Sequence, residues 1–208
     1  MNDLPLFYSG RVRNALHWME RNNRGTSRKG ADVPYSMHPI SVWALGIAVG
    51  ADDDLQIALI LHDEVEDNGV TLTQINDEFG AKVARIVSAL TKRKTDDEGN
   101  VLSREQVHRI TEEKMAAADA DEAAGKGCDL AINLTDIVLD CRRHGSDHLL
   151  LVFKSAEKIE FKLDHYLRLA DIVIGRLSYF GAYPKLIAEL RARSADVARI
   201  RDEWLAGR

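Results

Sequence analysis

Cysteine, proline and long apolar runs are scarce in this sequence, and each shortage excludes a class of structure. The chain has 2 cysteines and 4 prolines among 208 residues. Cys128 and Cys141 stand far apart with no CxxC spacing, which argues against a zinc knuckle or disulfide framework and indicates buried thiols in a reducing compartment. The sequence has no run of about eighteen apolar residues, so no transmembrane helix is predicted. The first residues lack the charged-then-apolar order of a signal peptide. We therefore expect a cytoplasmic protein that does not use a membrane.

An excess of positive charge is also lacking. Lys and Arg number 28 against 33 Asp and Glu, and the formal net charge is −5. No basic stripe runs along the chain, and nucleic-acid binding depends on neutralising phosphates, so that role is not expected. The length suits one globular domain with a substantial core. An apolar share of 45% with few prolines is typical of a largely helical protein.

Apolar positions recur at helical rather than strand-like spacing along the chain, so we predict an all-α protein. Acids at Asp52, Asp53 and Asp54 offer an N-cap, Thr71 or Thr73 caps a short helix, and Ser103 with Gln106 resembles a capping box. The predicted helices cover residues 9–22, 38–49, 55–67, 72–79, 81–91, 104–124, 128–144, 148–180 and 184–208. Charged or glycine-bearing loops are predicted at residues 21–35 and 92–100.

The segment LILHDEVEDN, residues 59–68, carries an apolar helix directly into one histidine and four carboxylates. Anions are disfavoured at a helix C-terminus, and burying them is costly unless something compensates their charge. A bound divalent cation would neutralise these carboxylates. The segment therefore predicts a metal site.

The candidate metal ligands are two imidazoles and two carboxylates: His38, His62, Asp63 and Asp136. A single histidine is more often a structural group, but the combination supplies the mixed nitrogen and oxygen set that suits manganese, iron or zinc better than calcium. Asp129 and Asp140 lie in the same apolar segment as Asp136. They remain alternatives for the last ligand.

A histidine-aspartate pair at a helix end, with distant His and Asp partners, resembles the metal site of the HD-domain phosphohydrolases. The order of motifs is similar to the hydrolase domain of the RelA/SpoT homologue family, especially its stand-alone small alarmone hydrolases. The matching residues are Pro34-Tyr35, His38-Pro39, His62-Asp63, Glu66-Asp67, Thr71, Phe79-Gly80 and Thr91-Lys92. The segment LTDIVLD resembles the family's Leu-Ala-Asp-Arg-Leu-His-Asn pattern more loosely, with Asp136 on the ligand and Asp140 where the family often has Asn.

The resemblance implies a compact multi-helix HD-domain fold and a metal-dependent phosphohydrolase that removes the 3′-pyrophosphate from (p)ppGpp. One manganese ion would be held by His38, His62, Asp63 and Asp136, and Glu66 and Asp67 would be the catalytic pair. The implied substrate-binding residues are Arg24, Arg28, Lys29, Tyr35, Lys92, Asp140 and Arg143. Two alternatives stay open: another nucleotide substrate, such as NADPH, an adenine alarmone or a nucleoside triphosphate, and a nucleotide-sensing module without turnover.

The resemblance covers the chain only as far as about Arg143. We therefore expect a hydrolase core over residues 1–145 and C-terminal helices over residues 146–208 that pack on the core or form an oligomer interface. We expect a hydrolase that acts without the synthetase domain of the bifunctional family members. The expected partner is a small nucleotide, with a homo-oligomer as a further expectation and neither nucleic acid nor membrane.

Overall fold

The computed structural model describes residues 8–23, 25 and 34–207, and this part of the chain is all-α. An isolated antiparallel bridge joins Thr95 to Val101 at the two ends of the loop predicted at residues 92–100. None of the described helices is both long and apolar enough to cross a bilayer. The chain divides into two compact units, residues 1–91 and 92–208. The predicted hydrolase core over residues 1–145, followed by C-terminal helices over residues 146–208, stays a prediction.

The first unit is built around a central buried helix. Its helices are α1 (Gly10–Asn23), α2 (Met37–Val49), α3 (Asp53–Leu61), α4 (Glu64–Asp67), α5 (Leu72–Phe79) and α6 (Ala81–Leu90). Helix α3 contacts α1, α2 and α6, and every residue from Ile57 to Leu61 is buried. A helix that is apolar on all sides requires such a position, and each buried Leu or Ile contributes about 1.5–3 kcal/mol.

The ends of α3 and α5 are fixed by side-chain caps. The Asp52 carboxylate accepts from the Leu55 amide at 2.9 Å, as the acidic N-cap predicted. Thr71, rather than Thr73, caps α5, and its hydroxyl and the Gln74 side chain form a reciprocal capping box. Close approach of α2 to α3 depends on Gly46, because a Cβ there would lie 2.3 Å from Leu59 Cδ1.

The single helix predicted over residues 55–67 is wrong. Helix α3 ends at Leu61, and a separate short helix, α4, begins at Glu64 with Asp63 in the N-cap position. The amides of Glu66 and Asp67 donate to the Asp63 carbonyl at 3.1 and 3.0 Å. The acids thus belong to the first turn of a new helix, where the helix dipole favours negative charge.

The second unit consists of α7 (Arg104–Ala117), α8 (Ala120–His144), α9 (His148–Phe153), α10 (Ala156–Phe180) and α11 (Pro184–Ala206). Helices α8, α10 and α11 pack mutually, α7 contacts α8 and α10, and α9 contacts the same two helices. The predicted capping box of Ser103 and Gln106 is confirmed at the start of α7. The final helix begins at Pro184, also as predicted.

Three boundaries predicted in the second unit are wrong. The helix predicted over residues 104–124 stops at Ala117, and α8 begins after a new capping box at Asp119. Helix α8 then continues through Gly125 and Gly127, across the gap between the helices predicted over residues 104–124 and 128–144. Gly127 allows close packing between helices, since a Cβ there would lie 3.0 Å from Leu186 Cδ2. The long helix predicted from residue 148 is broken at Lys154, which has a φ of 68°.

Candidate metal centre and active site

Three of the four predicted metal ligands converge in the first unit. His38 lies in the first turn of α2, and His62 and Asp63 occupy the break between α3 and α4. His62 Nε2 lies 3.2 Å from Asp63 Oδ2, and His38 Nε2 lies 4.0 Å from the same oxygen. Ligand atoms on one ion stand about 3 Å apart when adjacent and about 4 Å apart when opposite, given bonds of about 2.1 Å. Both nitrogen distances to Asp63 Oδ2 therefore lie in the range expected for ligands of one ion.

A backbone hydrogen bond orients the His62 ring in a way that suits metal coordination. Its Nδ1 lies 2.8 Å from the carbonyl oxygen of Leu59. A carbonyl only accepts, so Nδ1 carries a hydrogen, and in the neutral ring Nε2 is then the nitrogen that can coordinate a metal. This arrangement, with the far nitrogen held by a backbone carbonyl, is the usual one for a metal-ligating histidine. Two buried imidazoles beside a carboxylate fit a divalent transition metal.

Tyr35 lies among the acids of this site. Its hydroxyl is 3.0 Å from Asp63 Oδ2 and makes a second, short hydrogen bond to Asp67 Oδ2. Burial, assisted by the two carboxylates, raises the pKa of Tyr35 above its ordinary value, so the phenol stays protonated. One hydroxyl hydrogen serves one carboxylate at a time. Tyr35 was predicted to bind substrate, and within this unit its hydroxyl lies between Asp63, a predicted ligand, and Asp67, a member of the predicted catalytic pair.

The predicted catalytic pair stands on the short helix α4. Glu66 is half-buried and Asp67 is exposed. Asp67 is therefore accessible from solvent while its carboxylate is held by Tyr35. An accessible acid close to a metal ligand can accept or deliver a proton during hydrolysis.

Glu64, to which the sequence assigned no role, is the most buried carboxylate of the HDEVED segment, with 2% of the residue exposed. Side-chain amides from Asn22, Asn23 and Asn68 donate to it at 2.8, 2.6 and 3.1 Å. Burial raises the pKa of Glu64, and these amide donors oppose that shift. No periodicity or motif links residues 22 and 23 to residue 64, so only the tertiary structure reveals this cluster.

Helix α8 of the second unit carries the remaining candidate ligands. Asp129 is 8% exposed, with Lys126 Nζ 2.8 Å from Oδ2 and Asn133 Nδ2 2.6 Å from Oδ1. Asp136 and Asp140 are half-buried. A signal for Asp129 is present in the sequence, because the family pattern has Asn four residues after its Asp. Asp129 is followed four residues later by Asn133, which matches this pattern, whereas Asp136 is followed at the same spacing by Asp140.

The predicted substrate-binding residues are spread over both units. Arg24, Arg28 and Lys29 lie outside the described residues. Lys92, half-buried, and Arg143, exposed, belong to the second unit. Asp140 is in the same unit, with its Oδ2 4.0 Å from His148 Nε2. Their roles in binding substrate stay predictions.

A family model described as HD domain matches residues 15–123, slightly more than half of the chain. The chain therefore belongs to the HD-domain family. The matched region includes the His38, His62 and Asp63 cluster and ends before Asp129 and Asp136.

Relatives in this family carry guanosine-nucleotide names. The chain is 30% identical over 203 residues to a GTP pyrophosphokinase of Streptomyces coelicolor, covering 94% of this chain and 22% of that protein. It is 39% identical over 77 residues to a guanosine-3′,5′-bis(diphosphate) 3′-pyrophosphohydrolase of Danio rerio, covering 36% of this chain and 42% of that one. The chain thus spans less than half the length of these relatives.

Two solved structures share the fold. One, described as a metazoan ortholog of SpoT that hydrolyzes ppGpp, matches with a TM-score of 0.70 and 21% identity, covering 91% of this chain and 96% of that one. The other, from Listeria monocytogenes EGD-e, matches with a TM-score of 0.62 and 24% identity, covering 79% and 99%. At these identities the similarity establishes the fold.

Proposed function

We propose that this protein is a metal-dependent phosphohydrolase that removes the 3′-pyrophosphate from (p)ppGpp, yielding GDP or GTP and pyrophosphate. The observation that carries the proposal is the convergence of His38, His62 and Asp63 beside the acids of α4. The activities for which the Danio rerio relative and the metazoan ortholog of SpoT are named support the choice of substrate.

One divalent ion, with manganese as the proposed metal, would be held by His38, His62, Asp63 and an aspartate of α8. A bound divalent ion lowers the pKa of a bound water and stabilises charge on a phosphoryl group. Asp136 is the ligand that the overall resemblance predicts. Asp129 is the better candidate, because it is buried, its carboxylate is oriented by Lys126 and Asn133, and it matches the Asp and Asn of the family pattern.

The acids of α4 would handle the proton. Asp67 is exposed and oriented by Tyr35, and Glu66 precedes it in the same turn, so either carboxylate is suited to accept a proton from the attacking water. The Tyr35 hydroxyl, kept protonated by its surroundings, can donate to Asp67 or to Asp63, one at a time, and lies within hydrogen-bond distance of both.

Cationic side chains would bind the substrate phosphates. Lys92 and Arg143, with the three basic residues outside the described part of the chain, supply charge for a polyphosphate. Asp140 has only acceptor oxygens when ionised and would accept from a base N–H or a ribose hydroxyl.

The test is a product assay with purified protein, manganese and a nucleotide panel of ppGpp, NADPH, an adenine alarmone and GTP. We expect release of pyrophosphate and GDP from ppGpp, and no release when the metal is removed with a chelator. If another nucleotide of the panel is hydrolysed and ppGpp is not, the proposed substrate is wrong and the proposed enzyme class stands. Tight binding of ppGpp with no product under manganese, iron or zinc would establish a nucleotide sensor instead.

A further inference from the structure

Glu64 is a buried acidic side chain held by three neutral amides. Its Oε2 accepts from Asn22 and Asn68, and its Oε1 accepts from Asn23, at distances of 2.6–3.1 Å. Asn23 is itself anchored, because the same Nδ2 lies 2.9 Å from the Met19 carbonyl. Asn68 also donates to Asn23 Oδ1 at 3.0 Å. The carboxylate therefore joins the last turn of α1 to both ends of α4.

Helix α4 needs such support because it has only four residues. Forming a first helical turn fixes several dihedral angles for one hydrogen bond, so a single turn is unstable alone. The Glu64 carbonyl accepts from the amides of Asn68 and Val70 at 3.1 and 3.3 Å. Glu64 thus stabilises the turn through its backbone and attaches it to α1 through its side chain.

We propose that Glu64 is a positioning residue that fixes the α4 turn on the end of α1 and thereby orients Glu66 and Asp67. The consequence for turnover rests on the proposed function, whereas the positioning itself does not. Asn68 on one side of the acids and Glu64 on the other belong to the same hydrogen-bond cluster. A shift of this cluster would move both acids together.

A carboxylate suits this place better than an amide. Its two oxygens only accept, and three amide N–H groups point at them. In Glu64→Gln one oxygen becomes an NH₂ group, which faces at least one asparagine N–H donor. The variant keeps the size of the side chain and removes the complementarity of donors and acceptors.

The test combines backbone hydrogen exchange with steady-state kinetics on Glu64→Gln. We expect the amides of Asn68 and Val70 to exchange at least tenfold faster, with α5 unchanged. We also expect kcat to fall at least tenfold while KM changes less than threefold and the metal content per chain stays the same. Glu78→Gln is the matched control, because it weakens another α1 contact, from Asn14 Nδ2 at 2.6 Å, and should change neither readout.

A swap variant separates positioning from a loss of stability. In Glu64→Gln with Asn22→Asp, the new amide can donate to the new carboxylate, and we expect exchange and kcat to recover at least threefold. Unchanged exchange in Glu64→Gln would overturn the positioning, whether or not the protein is active. Faster exchange with unchanged kcat in an active protein would overturn the inference about the acids. If the wild type hydrolyses no nucleotide, the proposed function fails, and the exchange result alone then decides whether Glu64 positions α4.

Discussion

His62 Nε2 lies 3.2 Å from Asp63 Oδ2, although the two residues are adjacent in the chain. Consecutive side chains on an unbroken α-helix point in different directions and do not face each other. Here His62 is the C-cap of α3 and Asp63 is the N-cap of α4, so the helix break lets both side chains meet. The break therefore brings together two of the ligands that we propose for one ion.

Removal of the Asp63 carboxylate should abolish metal binding. We expect Asp63→Asn to lower the metal content from about one ion per chain to less than a tenth of that, because a site with one fewer anionic ligand binds a divalent cation much more weakly. Elemental analysis of the purified protein measures this. Asp53→Asn, on the first turn of α3, is the control and should keep the metal. Full metal content in Asp63→Asn would contradict the ligand assignment.

Neutralising the α4 acids should affect turnover and leave the metal. We expect Glu66→Gln and Asp67→Asn to retain the ion and to lower kcat by about 10²–10⁴-fold, the usual contribution of a general acid or base. Asp77→Asn changes another exposed acid of the same unit and should be neutral. If both variants hydrolyse the substrate at the wild-type rate, the pair is structural.

Tyr35→Phe distinguishes the two roles of that residue. Loss of the hydroxyl removes the bonds to Asp63 and Asp67 and leaves the ring in place. We expect kcat to fall about tenfold with KM unchanged, since a net hydrogen bond to a charged group contributes about 1.5–3 kcal/mol. Steady-state kinetics measure both constants. A rise in KM alone would show that Tyr35 binds substrate, as its sequence context first predicted.

Metal content distinguishes Asp129 from Asp136 as the ligand on α8. We expect Asp129→Asn to lose most of the metal and Asp136→Asn to retain it, because Asp129 is buried and oriented by Lys126 and Asn133. The reverse result would restore Asp136 as the ligand. Circular dichroism of each variant confirms that the helices remain intact.

The second unit should lose stability in mild acid. His165 is 3% exposed, and burial with nearby cations lowers its pKa to about 3 from 6.5; burial and His165 similarly lower the pKa of His108 to about 3. Each imidazole binds a proton more readily in the unfolded chain, so stability is full above pH 6.5 and declines as the pH falls toward 3.

We expect the free energy of unfolding, measured with urea on metal-free protein, to be lower at pH 5 than at pH 7 by on the order of 1 kcal/mol. His108→Gln, which replaces the ring stacked 3.6 Å from His165, should reduce this pH dependence. His17→Gln, on an exposed position of α1, should leave it unchanged. An equal decline in all three proteins would assign the acid sensitivity to other groups.

The periodic apolar positions and the capping residues determined most of the helices. Their signals are local, because a helix face and an N-cap are set by residues three or four apart. For the same reason the motif order around His38, His62 and Asp63 was enough to indicate the HD-domain family and a metal site. The glycines of α8 misled the prediction, since Gly127 serves close packing against Leu186 rather than a turn.

Tertiary structure alone decided the rest of the site. Whether the chain continues as one helix through His62 or breaks there depends on competition between packing and local hydrogen bonds, which periodicity does not report. The Tyr35 bridge and the Glu64 cluster join residues 28 to 42 positions apart. Such contacts form only when helices pack, so the sequence determined which groups are available for the chemistry, and the fold decided which of them hold one another in place.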